Sequence, residues 1–252
     1  MAQLPVRDDF DAPTLSWQWN WLGTPGNMPA RVENGTLYIR ALAEKVTSEP
    51  APRPKMPDFS QMTPEQMEEI RKAMRGSRKI DARALGWVGR RQQHPSYTAR
   101  PKLRFAAAEN EAAGLMVVQD KYNQLRIELT RIEGRRVLRV VRFAEIAPNE
   151  HVGDILPVIP IHEEHGETVL GVLPWEGDEA VLQLEANGQS NSFYAGVDED
   201  HLIPVALNID GRFMGSETAG GFVGAYVAMF ATANGGQSSN EAAFDWFDYC
   251  GS

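Results

Sequence analysis

Leu125-Arg126-Ile127-Glu128-Leu129-Thr130 alternates apolar and polar residues one for one. Successive side chains on a β-strand point to opposite faces, so this pattern predicts a strand with one face in a core and one face wet. Glu133-Gly134-Arg135 then turns the chain into Val137-Leu138-Arg139-Val140-Val141, which completes a hairpin. The same alternation returns at Ala180, Leu182, Leu184 and Ala186. Leu115 to Val118 and Ala225 to Phe230 are apolar at every position and predict central strands covered on both faces. Asn34-Gly35 between Val32 and Leu37-Tyr38-Ile39 is a further hairpin turn, because Asn-Gly adopts positive φ at little cost. Many short strands joined by Gly- and Asn-rich turns predict an all-β, two-sheet antiparallel sandwich.

One helix interrupts this pattern. Thr63 is an N-cap, Pro64 sits at the first helical position and Gln66 closes a capping box, which predicts a helix over Pro64 to Arg75 with Met67, Ile70 and Met74 as its apolar stripe. Pro50 to Pro57 is too rich in proline for a central strand. Residues 45–82 are expected to form an insertion between strands, and residues 149–167, rich in His, Glu and Pro, a second one, on a single domain spanning 1–252.

The 252 residues carry a formal charge of −9, which disfavours nucleic acid as a partner, since that binding relies on Lys and Arg displacing counterions. No stretch approaches the roughly 18 consecutive apolar residues of a membrane span. Cys250 is the only cysteine, so no internal disulfide forms. With no apolar leader between Met1 and Phe10, a cytoplasmic location is the expectation. No nucleophile elbow, phosphate loop or dinucleotide fingerprint is present. Gly220-Gly221-Phe222-Val223-Gly224 reads as close packing at a strand bend. His162-Glu163-Glu164-His165, with His151 upstream, lacks a recognised ligand spacing and reads as a solvated loop.

Two clusters carry candidate function. Trp17, Trp19 and Trp21 would share one strand face. Core filling accounts for at least two of them, leaving a third, Trp21 at the strand's end, for a cleft or interface. Arg90-Arg91-Gln92-Gln93-His94, followed by Tyr97, is denser in long polar groups than a structural strand requires. Two readings stand open for it: a polar ladder on a solvated face, or a row facing a partner or a sugar.

Three segments in order carry a family resemblance: Asp8-Asp9-Phe10-Asp11 with Trp17 to Trp21, Gly89 to His94, and Gly211 to Tyr226 closing in Asp245-Trp246-Phe247-Asp248-Tyr249. The chain resembles the concanavalin A-like β-sandwich, a jelly roll, that follows the catalytic propeller in glycoside hydrolase family 43 β-xylosidases and α-L-arabinofuranosidases. The resemblance implies an accessory domain of a xylan- or arabinan-processing glycosidase that shapes the substrate pocket and supports domain or subunit association, including a homo-oligomer. It places Arg90, Arg91, Gln93, His94 and Tyr97 toward the propeller and transfers no catalytic carboxylate to this chain. It requires no cofactor, but terminal strands brought together would offer Asp9, Asp11 and Asp245 to a structural calcium. The alternative is a free-standing carbohydrate-binding protein, or a glycoside-active enzyme, using the concave sheet face for a xylo- or arabino-oligosaccharide.

Overall fold

The computed structural model describes residues 6–22, 28–47, 62–69, 85–120, 122–145, 165–219 and 224–251. Fourteen strands are described: β1 (Arg7–Asp8), β2 (Ala30–Glu33), β3 (Thr36–Arg40), β4 (Trp87–Arg91), β5 (Ser96–Arg104), β6 (Ala112–Asp120), β7 (Asn123–Ile132), β8 (Arg135–Glu145), β9 (His165–Pro174), β10 (Glu179–Asn187), β11 (Ser190–Gly196), β12 (Leu202–Asp210), β13 (Tyr226–Thr232) and β14 (Glu241–Gly251). They form two sheets. The first runs β12-β11-β10-β5-β14-β3-β2, with β1 added on the β3 side of β14; the second runs β4-β13-β6-β7-β8-β9. Among the described residues, neighbouring strands within both sheets pair antiparallel.

The hairpins fall where the turn residues place them. Asn34 and Gly35 take φ of 51° and 72° between β2 and β3, and Glu133 and Gly134 take 50° and 76° between β7 and β8. Two consecutive positive φ values match the right-handed twist of the flanking strands. The doubly apolar segments become β6 and β13, which pair with each other inside the second sheet. Both faces of these two strands are covered.

The core lies between the sheets. Leu37, Leu103, Phe193, Phe244 and Phe247 of the first sheet meet Val88, Leu115, Leu125, Ile127, Leu138 and Met229 of the second, all buried. Close approach of backbones is fixed by glycine: a Cβ on Gly114 would lie 2.0 Å from the carbonyl oxygen of Ile127.

Helix α1, residues 64–69, opens with the expected capping box. The Thr63 amide donates to Gln66 Oε1 at 3.0 Å and the Gln66 amide to Thr63 Oγ1 at 3.3 Å. Ile70 to Arg75, and the proline run before the helix, lie outside the described residues. A short α2 (Ser216–Ala219) and a 3-10 turn at Arg212–Met214 separate β12 from β13.

Two expectations are corrected. Residues 17–21 are not a strand: Trp17 and Gln18 lie in a turn closed by the Trp19 amide on Ser16 O at 3.1 Å, and only Asn20 bridges to Gly89. Trp19 is buried, its indole N–H held by Asp8 Oδ2 at 2.8 Å, Trp21 packs half-buried on the core, and Trp17 is 81% exposed. The second correction concerns the wet face of β7. Arg126, Glu128 and Thr130 do point away from the core, yet they are only 3%, 1% and 3% exposed.

Candidate functional site

The site grows from the end of β4, an edge strand of the second sheet. Alternation along it sends Val88 and Arg90 between the sheets and Trp87 and Arg91 to the outer face. Arg90 is therefore buried, with its guanidinium 4.3 Å from the centre of the Tyr249 ring and Nη2 donating to Gln93 Oε1 at 2.9 Å. Burial lowers the Arg90 pKa, opposed by the field of Tyr249 and Asp8. A guanidinium held over an aromatic face keeps part of the stabilisation that water would supply.

Tyr249, on β14, is the centre of this packing. Its hydroxyl oxygen accepts the amide N–H of Gln93 at 3.0 Å and of His94 at 3.3 Å. Its ring stacks on Tyr97 at 5.0 Å and lies 5.8 Å from the His94 imidazole. The imidazole occupies the space over Gly251, where a Cβ would lie 2.1 Å from Nδ1. The loop after β4 is thus pinned from below by the closing strand.

What remains at the surface is a rim. Arg91, Gln93 and His94 are exposed and Gln92 is half-buried. The Arg91 guanidinium lies 4.7 Å from the Tyr226 ring centre, and Nη1 donates to Gly224 O at 3.4 Å. Gln92 donates its amide to Ala225 O at 2.9 Å and its side chain to His94 O at 3.1 Å. Of the residues expected to face a partner, Arg91, Gln93 and His94 reach solvent. Tyr97 and Arg90 are corrected: both are 3% exposed and support the rim from inside. The Tyr97 hydroxyl is raised far above its ordinary value by burial and then by Tyr249, so it stays protonated. Trp21 is half-buried and packs against the main core.

The proposed calcium donors do not converge. β1 and β14 do meet, pairing Arg7 with Asp248. Asp9 takes Arg7 at 3.3 Å, however, and Asp245 takes Lys102 at 2.9 Å. Asp11 lies over Gly35. Among the described residues no group of three His, Cys, Asp or Glu is gathered around a common point. His151, His162, Glu163 and Glu164, and Gly220 to Val223, lie outside the described residues. Cys250 is an exposed free thiol.

One charged cluster lies outside the motifs of the sequence. Glu128, on the outer face of the second sheet, receives Arg126 Nε at 2.8 Å and Arg139 Nε at 2.7 Å. Arg126 also binds Glu167. Burial pushes the Glu128 carboxyl up, but the two guanidiniums outweigh it and hold the pKa below the ordinary carboxylate range. Alternation alone could not separate this set from a solvated row. The one available sign was Arg126 and Glu128 on one face of β7, with Arg139 opposite Glu128 on β8.

The family model of the β-xylosidase C-terminal concanavalin A-like domain matches residues 72–250. A curated relative, the non-reducing end α-L-arabinofuranosidase BoGH43B of Bacteroides ovatus, is 25% identical over 248 residues; the alignment covers 97% of this chain and 37% of the relative. Among solved structures, the BlXynB protein of Bacillus licheniformis superposes with a TM-score of 0.72 at 24% identity, over 100% of this chain and 40% of that one. The xylan β-1,4-xylosidase of Bacillus halodurans C-125 superposes with a TM-score of 0.69 at 20% identity, over 99% and 40%. The chain therefore spans about two fifths of the length of these relatives.

Proposed function

Because this chain belongs to the family of β-xylosidase C-terminal concanavalin A-like domains, we propose that it is the accessory sandwich of a glycosidase that processes xylan or arabinan. In this reading it packs on a catalytic module and presents Arg91, Gln93 and His94 to that module or to its substrate pocket. The observation that carries the reading is the rim itself: three exposed hydrogen-bonding side chains, Arg91 at the end of β4 and Gln93 and His94 on the loop after it, which Tyr249 fixes from below. A partner meeting such a loop loses little side-chain and backbone freedom on docking, which favours association. Arg91 adds a planar fork suited to carboxylate or carbonyl oxygens.

Hydrolysis at a glycosidic bond needs two carboxyl groups roughly 5–9.5 Å apart across it. In this reading the catalytic module supplies that pair. The purified chain is then expected to leave aryl β-xylosides and aryl α-L-arabinofuranosides untouched. Substituted for the matching segment of the B. ovatus arabinofuranosidase, it should support turnover. In that chimera Arg91→Ala should lower turnover while moving the melting temperature by no more than about 2 °C, as for a surface side chain. Hydrolysis by the isolated chain that survives repurification and disappears in a Glu167→Gln variant would overturn the reading.

A further inference from the structure

The outer face of the second sheet changes character across its width. On β4, β13 and β6 it carries Trp87, Phe230, Met116 and Val118, which join Val46 in a separate apolar cluster. On β7 it carries Gln124, Arg126, Glu128 and Thr130, none more than 3% exposed. A face that needed only to be covered would stay apolar, because apolar side chains of similar volume avoid the desolvation cost of buried charges. Gln124 Oε1 and Arg126 Nη1 have no hydrogen-bond partner among the described residues. Among the described residues, an acceptor and a donor two residues apart on one face are thus buried without a partner, which native proteins seldom tolerate without a reason.

Beside this polar row lies a cleft of about 590 Å³, within the range of small-ligand sites. Its charged lining balances: Lys45, Arg131 and Arg139 against Glu109, Glu133 and Glu167. Thr47, Asn110, Thr130 and Asn234 add neutral donors and acceptors. Several of these groups are already aimed. Glu128 holds Arg139, Arg126 holds Glu167, and Arg131 is fixed by the carbonyl oxygens of Ala107 and Gly134 at 3.1 and 3.2 Å. The cleft is four strand spacings from β4, roughly 19 Å across the sheet from the Arg91 rim.

A balanced lining gives no net field to select an ion, while it offers donors and acceptors side by side. A hydroxyl group is itself one donor and two acceptor sites, so a ligand dense in hydroxyls matches such a lining. We propose that this cleft binds a neutral oligosaccharide through Arg139, Glu167 and Thr47. The inference goes beyond the accessory role and needs no catalytic module, so either can fail while the other stands.

The test is a titration of the purified chain with xylotriose, arabinotriose and trigalacturonate, followed by amide-resolved NMR. A neutral trimer should bind saturably with Kd on the order of 1 mM or tighter. It should shift the amides of Thr130, Arg131 and Arg139 and leave Arg91 and Gln93 in place. Glu167→Ala should weaken binding roughly tenfold or more, as expected for a lost charged hydrogen bond. Arg91→Ala should leave it unchanged. If Glu167→Ala disturbs the fold, Thr47→Val carries the same expectation from outside the ion network. Binding of trigalacturonate in preference to both neutral trimers, shifts confined to other surfaces, or no saturable binding would each overturn the proposal.

Discussion

Replacing Glu128 by Ala would strip two guanidiniums of a shared buried carboxylate. Arg126 is 3% exposed at its side chain and would keep only Glu167; Arg139 is 20% exposed and would keep no ion-pair partner among the described residues. Breaking a buried pair from one side typically costs about 3–5 kcal/mol. Water reaches Arg139 and Glu167 still holds Arg126, so the lower end applies, about 3 kcal/mol. At roughly 2–4 °C per kcal/mol for a domain of this size, the melting temperature should fall by roughly 6–12 °C. Urea titrations of both proteins, with unchanged slope, measure the difference directly. Converting all three residues together, Arg126→Met, Glu128→Leu and Arg139→Met, should return stability to within about 1 kcal/mol of the original protein or above it.

The same carboxylate predicts a pH dependence. The two guanidiniums keep the folded Glu128 pKa below its ordinary value, despite the opposing effect of burial. As pH falls through the ordinary carboxylate range, the unfolded chain takes up the proton while the folded chain resists it. The unfolded state then binds more protons, and stability falls with pH until the lower folded value is passed. Glu128→Ala should lose that part of the acid limb, so the two stability curves converge in acid. A variant less than about 1 kcal/mol below the original protein at neutral pH, with parallel acid limbs, would refute the network as a buried one.

Tyr249→Phe removes the acceptor for the amides of Gln93 and His94; the loss should be about 1–3 kcal/mol by urea titration, with faster amide exchange at both residues. Tyr97→Phe deletes a buried hydroxyl that has no partner among the described residues, and should be neutral or stabilising by about 1 kcal/mol; a loss of that size would reveal a hydrogen bond to bound water. Gly114→Ala drives a methyl into the Ile127 carbonyl, and should cost roughly 3 kcal/mol or prevent folding, as seen in thermal melts. Gly134→Ala meets nothing within 4 Å and should cost only the strain of its 76° φ, about 1–2 kcal/mol.

The strands were legible because their signal is local. Alternation at Leu125 to Thr130, the Asn34-Gly35 turn and the capping box at Thr63 and Gln66 each need only neighbouring residues, and each stands in the structure. Trp17 to Trp21 has the same apparent alternation but forms a turn, because Asp8 captures the Trp19 indole and the Ser16 carbonyl takes its amide. The Asp8 contact comes from β1 and the Ser16 contact closes a local turn; neither is visible to a period count. The site was legible only in outline. The polar run after Gly89 was visible, but which of its members point inward depends on Tyr249, 156 residues from Gln93. The burial of Glu128 was hidden for a similar reason: a half-buried strand and a strand covered on its polar side read alike.

That long-range dependence ties the rim to the closing strand. β14 sits between β5 and β3 and also receives β1, so strands far apart in sequence meet on it. One side chain near its end does three things at once: Tyr249 stacks on Tyr97 in the core, supports the buried Arg90, and caps two amides of the loop. Gly251 follows with no side chain, which leaves room for the His94 ring. A chain in which β14 is unseated therefore loses the geometry of Gln93 and His94 even if β4 keeps its pairing with β13. The rim is present only on a completed sandwich, and a partner that recognises Arg91, Gln93 and His94 reads the closure of the fold through them.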